Sequence, residues 1–99
     1  MLHKAIDLFS GAGGFSLAAH NLGLEIVAAI ELDKTASQTY QSNLVERLGQ
    51  KTSILNEDIL SIDPEELRKS LGINIGELSI ILGGLHAKDF PVIALKMLV

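Results

Sequence analysis

Three glycines in four positions, Gly11-Ala12-Gly13-Gly14, and two later acidic residues, Glu31 and Asp58, are the groups whose types and spacing could hold a ligand. Glycine permits backbone angles that other residues resist, and it leaves no side chain between a backbone N–H and an approaching molecule. Where such a bend joins a first strand to a first helix in an open α/β sheet, N–H groups and the positive helix end converge on one spot. Glu31 lies twenty residues after Gly11, directly after the apolar run Ile26 to Ile30. At that spacing a carboxylate can accept both hydroxyls of a ribose. Asp58 follows a third short apolar run, so its carboxylate should fall on the same sheet edge, where it can accept from an exocyclic adenine amine. The local alternative is a plain tight turn, a solvated Glu31, and an Asx turn or exposed loop acid at Asp58.

The elements that must position these groups follow from the chain pattern. His3 to Phe9 is short, mostly apolar and stops at the glycines, so it predicts a buried strand. Phe15 to Leu22 has helical spacing, with Phe15, Leu17, Ala18, Ala19 and Leu22 on one broad face and Gly23 at a left-handed C-cap. Glu25 to Ile30 predicts a second strand, apolar almost throughout as in parallel sheets covered on both faces. Asp33 caps a helix from about Lys34 to Leu48, with Ala36, Tyr40, Leu44 and Leu48 at fourfold spacing. Thr52 to Leu55 is a third strand. Asp63-Pro64-Glu65-Glu66 starts a helix that ends at Gly72, with Glu66 placed for a capping box. Leu78 to Leu82 is a fourth strand, closed by Gly83-Gly84. Alternation of strand and helix implies α/β architecture: a mostly parallel sheet of about four strands, helices on both faces, right-handed crossovers.

Composition narrows the ligand. Of 99 residues 47% are hydrophobic and 20% charged, which argues for a packed core rather than disorder. Net charge is −4, and the eight basic residues form no patch beyond Arg68-Lys69. DNA binding through the phosphates needs clustered Lys and Arg, so another polypeptide would have to supply that attraction. A dinucleotide site asks for a third glycine where Ser16 stands, and no basic run is present to hold a pyrophosphate. An adenosine cofactor carrying a zwitterionic amino acid and no phosphate suits this acidic chain better. The absence of cysteine excludes disulfides, thiolate metal sites and a cysteine nucleophile within these residues. His3, His20 and His86 are too dispersed to suggest a metal. Ser10 and Ser16 lack a nucleophile-elbow pattern and suit a turn and a helix start. Tyr40 is expected to pack with its hydroxyl at the surface. No apolar stretch reaches membrane-spanning length, and the expected location is the cytoplasm.

The string Asp7-Leu8-Phe9-Ser10-Gly11-Ala12-Gly13-Gly14-Phe15-Ser16-Leu17 closely resembles the first motif of the C5-cytosine DNA methyltransferases. Glu31-Leu32-Asp33-Lys34 with Ala36 and Tyr40 resembles their second motif, Glu57-Asp58-Ile59 their third, and Gly83-Gly84 the opening of their fourth. The likeness covers about residues 4 to 84 and implies a partial Rossmann-like class I methyltransferase fold that binds S-adenosylmethionine. It implies Phe9 near the adenine, and Gly11, Gly13 and Gly14, followed by Phe15, along the methionine portion. It implies Glu31 on the ribose hydroxyls, Leu32 packed on the adenine, Asp58 on the adenine amine and Ile59 beside it.

The resemblance fails after Gly84. The family's fourth motif continues into Pro-Pro-Cys, whose thiolate attacks C6 of the target cytosine. Here Leu85-His86-Ala87-Lys88 follows, and Ala87 occupies the position of the cysteine. Residues 1–84 therefore read as the cofactor-binding half of a methyltransferase domain, and 85–99 as a divergent apolar tail joined by a deletion or frameshift. Such a truncated chain is expected to bind S-adenosylmethionine weakly at most and to transfer no methyl group alone. A split enzyme is the alternative, with the cysteine motif and DNA-recognition domain on a second chain. A nicotinamide-dependent oxidoreductase domain shares the glycine bend and Glu31, but not the Asp-Leu-Phe lead-in.

Overall fold

In the computed structural model, described over residues 3–83, the elements run β1 (Lys4–Asp7), α1 (Gly14–Asn21), β2 (Glu25–Ile30), α2 (Lys34–Tyr40), β3 (Ser53–Leu55), α3 (Pro64–Ser70) and β4 (Leu78–Leu82). A π-helical stretch, Gln41–Arg47, continues α2, and a 3-10 turn, Ile59–Ser61, precedes α3. Gly84, the tail from Leu85 to Val99, and with it Ala87 and His86, lie outside the described residues.

All pairings are parallel and the strand order is β3-β2-β1-β4. The chain builds outward from β1 to β3, then returns to lay β4 on the other side of β1. In open α/β sheets the crevice at such a reversal, beyond the carboxyl ends of the strands, is where ligands sit. The glycine bend leaves β1 at that crevice.

Side-chain alternation divides the core between the two faces. Ile6 and Leu8 of the first strand segment join Ala28 and Ile30 of β2, and Leu67 of α3 covers them together with Ile59, Ile73 and Leu78. On the other face Ala29 meets Tyr40 and Leu44, with Leu48 and Ile54 around them. The expected α/β layering with helices on both faces is what the chain adopts.

Three local expectations are corrected. The helix from Lys34 does not run as α-helix to Leu48, but widens to π-helical turns from Gln41. Fourfold apolar spacing carries no sign of that change. In α1 the buried residues are Ser16 and Ala19, whereas Phe15 is 55% exposed and Leu22 81% exposed, with Leu17 and Ala18 also at the surface. The helix approaches the sheet along its small residues, so the bulky ones turn outward. At α3, Asp63 caps the N–H groups of Glu65 and Glu66 at 2.9 and 3.3 Å, while the return bond of a capping box is not made among the described residues.

Candidate functional site

The glycine bend is held at its base and at its rim. After β1, Ser10 N–H donates to Ile30 O at 3.0 Å, tying the bend to the end of β2, and Gly13 N–H returns to Ser10 O at 2.9 Å. Gly13 then opens α1 with φ of 110°, a left-handed conformation that disfavours any residue with a Cβ. At the rim, Gly11 N–H donates to Glu31 Oε1 at 2.8 Å. The other oxygen, Oε2, accepts from Asp33 N–H at 2.7 Å and closes the turn after β2. Asp33 in turn caps α2 by accepting from Ala36 N–H at 2.8 Å. A carboxylate has about four acceptor positions, so Glu31 keeps capacity for further donors while staying oriented by these two.

Beside this rim lies a hollow of about 170 Å³ lined by Leu8, Phe9, Ile30, Glu31, Leu32, Glu57, Asp58 and Ile59. Five residues singled out in the sequence thus share one cavity: Phe9, Glu31, Leu32, Asp58 and Ile59. Leu32 is 65% exposed at its mouth, and Ile59 is buried at its floor. Asp58 is an Asx-type cap, its Oδ1 accepting from Leu60 N–H at 2.9 Å to start the 3-10 turn. That local role leaves Oδ2 without a partner among the described residues. The apolar lining suits a flat, uncharged ring, and the three carboxylates at the rim favour donors and disfavour phosphates.

The remaining sequence-predicted positions fall outside the hollow's lining. Gly11 touches it through its bond to Glu31. Gly13 is buried, and a Cβ there would stand 2.5 Å from Leu44 Cδ2 and 3.2 Å from Tyr40 Cδ2. Its missing side chain is explained by packing within the chain. Gly14 is exposed, and a Cβ on it would meet nothing within 4 Å among the described residues. Phe15 points to the surface.

Sequence reasoning missed the polar chain beneath the bend. Tyr40 OH donates to Ser16 Oγ at 2.7 Å, and Ser16 Oγ–H donates to Asp7 Oδ2 at 2.8 Å, all three residues being buried. The expected surface hydroxyl of Tyr40 is therefore corrected, as is the reading of Ser16 as a simple helix-start residue. Burial pushes the Asp7 carboxyl up, against the lowering effect of the Ser16 bond, and burial likewise pushes the Tyr40 phenol up to about 12. The signal for this chain was Asp7 itself, an acid inside an otherwise apolar strand, which is rarely buried without a donor.

A second hollow, of about 370 Å³, lies at the other end of β2 among His20, Leu24, Glu25, Leu48, Gly49, Gln50 and Lys51. Its central amide is fully used within the chain: Gln50 accepts from Ile26 N–H and its Nε2 bonds Leu24 O and His20 Nδ1. Among the described residues no group of three His, Cys, Asp or Glu is arranged to hold a metal ion.

The model of the C-5 cytosine-specific DNA methylases matches residues 3–85. The chain is 44% identical over 70 residues to the type II methyltransferase M.FnuDI of Fusobacterium nucleatum, covering 71% of this chain and 19% of that protein. It is 38% identical over 85 residues to the type II methyltransferase M.DdeI of Desulfomicrobium norvegicum, covering 86% of this chain and 18% of that one. It thus spans about a fifth of the length of these relatives. In fold it matches the SAM-dependent methyltransferase from Agrobacterium tumefaciens with a TM-score of 0.62 at 24% identity, covering 84% of this chain and 25% of that one. The resemblance read from the Asp-Leu-Phe and glycine motifs is borne out: this chain belongs to the C-5 cytosine-specific DNA methylase family.

Proposed function

We propose that residues 3–83 form the S-adenosylmethionine-binding part of a DNA (cytosine-5-)-methyltransferase. The observation that carries this reading is the shared hollow lined by Glu31 and Asp58 together with Phe9, Leu32 and Ile59, with the glycine bend tied to Glu31. In it Glu31 takes the ribose hydroxyls, Asp58 Oδ2 takes the adenine amine, and Phe9, Leu32 and Ile59 enclose the ring. Gly11 and Gly14 leave their backbones open to the amino-acid portion, and Phe15 stands exposed beside them. Gly13 serves the same bend by letting α1 pack against α2. When bound, S-adenosylmethionine supplies the activated methyl group.

The 99 residues hold no cysteine and carry a net charge of −4. The thiolate that attacks cytosine and the surface that attracts DNA therefore come from polypeptide other than these residues, such as a second chain bearing the cysteine motif and DNA-recognition domain. Methyl transfer by this chain by itself is not expected. Among the described residues no helix is long and apolar enough to cross a membrane, and the reading places the chain in the cytoplasm beside its DNA.

The test is heteronuclear NMR titration of the 99-residue chain with S-adenosylhomocysteine and, separately, NAD. We expect weak saturable binding of the first, with amide shifts concentrated at Gly11, Leu32, Asp33 and Leu60, and none with NAD. Glu31→Gln is expected to weaken that binding by about tenfold or more, the loss of one charge-assisted pair of hydrogen bonds. Shifts confined to the His20–Gln50 hollow, or equal binding by the Glu31 variant, would remove the basis of the assignment.

A further inference from the structure

The geometry points to Asn56 as the residue that sets the width of the adenine slot, an inference that rests on the cofactor reading above. β3 ends at Leu55, whose carbonyl accepts from Glu31 N–H at 3.0 Å. The next residue carries the seam onward with its side chain. Asn56 Nδ2 donates to Glu31 O and to Leu32 O, both at 2.9 Å. Both neighbours are carbonyl oxygens, so only the nitrogen of the amide can face them, and its two hydrogens are both used.

These two carbonyls belong to residues that line the hollow, and Glu57-Asp58-Ile59, which line it too, begin at the residue after Asn56. Asn56 therefore ties one lining segment to the other: it fixes Leu32 and the Glu31 backbone relative to the segment that carries Asp58. It also steadies Glu31 for a ligand. The turn after β2 is closed as well by Asp33 N–H on Glu31 Oε2, and ribose donors take the acceptor positions that remain on the carboxylate. With Asn56 holding the same turn from the β3 side, Leu32 stays in place when those donors pull on Glu31.

Asn56 is exposed, so substituting it opens no hole in the core. The experiment compares the 99-residue chain with Asn56→Ala and Asn56→Asp, by NMR titration with S-adenosylhomocysteine and with methylthioadenosine, which keeps the adenosine end and lacks the amino acid. Urea unfolding is recorded in parallel. We expect about a tenfold loss of affinity for Asn56→Ala, since the segment it held is then ordered at the ligand's cost. The loss should be larger for Asn56→Asp, whose oxygens face two carbonyls. It should be equal for the two ligands. The two bonds also hold the free chain, so the urea midpoint should fall slightly in both variants while the chain stays folded through the titration. Unchanged affinity in both variants overturns the inference while leaving the cofactor reading intact. So does a loss seen with S-adenosylhomocysteine and not with methylthioadenosine, or one that disappears when only the folded fraction of each variant is counted. A parent chain that binds neither ligand overturns the cofactor reading and this inference together.

Discussion

Ser16→Ala is expected to lower the unfolding free energy by about 3 kcal/mol, a large part of what a domain of this size commands (about 0.05–0.15 kcal/mol per residue). The hydroxyl is the middle of a buried chain: it accepts from Tyr40 and donates to Asp7. Removing it takes the Ser16 bond from two buried polar groups, each loss costing about 1–3 kcal/mol and the carboxyl's the more of the two. Tyr40→Phe removes only the end of the chain, keeps the ring that packs on Gly13 and Leu44, and should cost about 1 kcal/mol. Urea unfolding of the three chains measures both. Equal losses for Ser16→Ala and Tyr40→Phe would show that the Ser16–Asp7 bond adds little.

The same chain has a pH signature. The Asp7 carboxyl is pushed up by burial, so its protonated form favours the fold. Its contribution is complete below its unfolded value of about 4 and is lost as pH rises through the higher folded value. Asp7→Asn cannot titrate there. The stability of the parent relative to Asp7→Asn should therefore fall as pH rises through that window. A relative rise over that window would mean that Ser16 and the loop favour the ionised form more than burial opposes it.

What was legible in the sequence, and what was not, follows from the range of each interaction. The succession of strands and helices, the glycine bend and the placement of Glu31 and Asp58 after strand ends depend on local signals: apolar runs, caps and their spacing along the chain. The order of the strands in the sheet, β3-β2-β1-β4, does not. The hollow follows once parallel β1, β2 and β3 bring their carboxyl ends to one edge. The Tyr40–Ser16 and Asn56–Glu31 bonds join residues 24 and 25 apart. No local pattern encodes them. The buried face of α1 was misread because counting apolar residues favours Phe15 and Leu17, whereas the sheet selects the side that lets the helix come close. Ser16 is buried there because its hydroxyl has a partner, which hydrophobicity does not register. At Asp58 the Asx turn is made by Oδ1, and Oδ2 is left without a partner among the described residues.

The glycines give the second large effect, because the structure assigns neighbouring ones to different causes. At Gly13 an alanine would carry its Cβ at φ of 110°, and that carbon would lie 2.5 Å from Leu44 Cδ2. Leu44 is itself buried beside Ala29 and Tyr40, so it cannot swing away without opening the face that α2 covers. Backbone strain of about 1–3 kcal/mol and overpacking of about 1–3 kcal/mol add in the same direction. Gly13→Ala is expected to lose about 4 kcal/mol, enough to unfold much of the population near body temperature. Gly14 is different: its φ is not positive and a Cβ would meet nothing within 4 Å among the described residues. Gly14→Ala should match or slightly exceed the parent in urea, since alanine restricts the unfolded chain and suits the first turn of a helix. Among the described residues nothing then requires glycine at position 14. On the proposed reading the amino-acid portion of the cofactor passes over the bend, and Gly14→Ala should bind S-adenosylhomocysteine at least about tenfold more weakly while methylthioadenosine, which stops short of the amino acid, binds as before. Parent-like affinity for both ligands would mean that the amino-acid portion takes another path out of the hollow, away from Gly14.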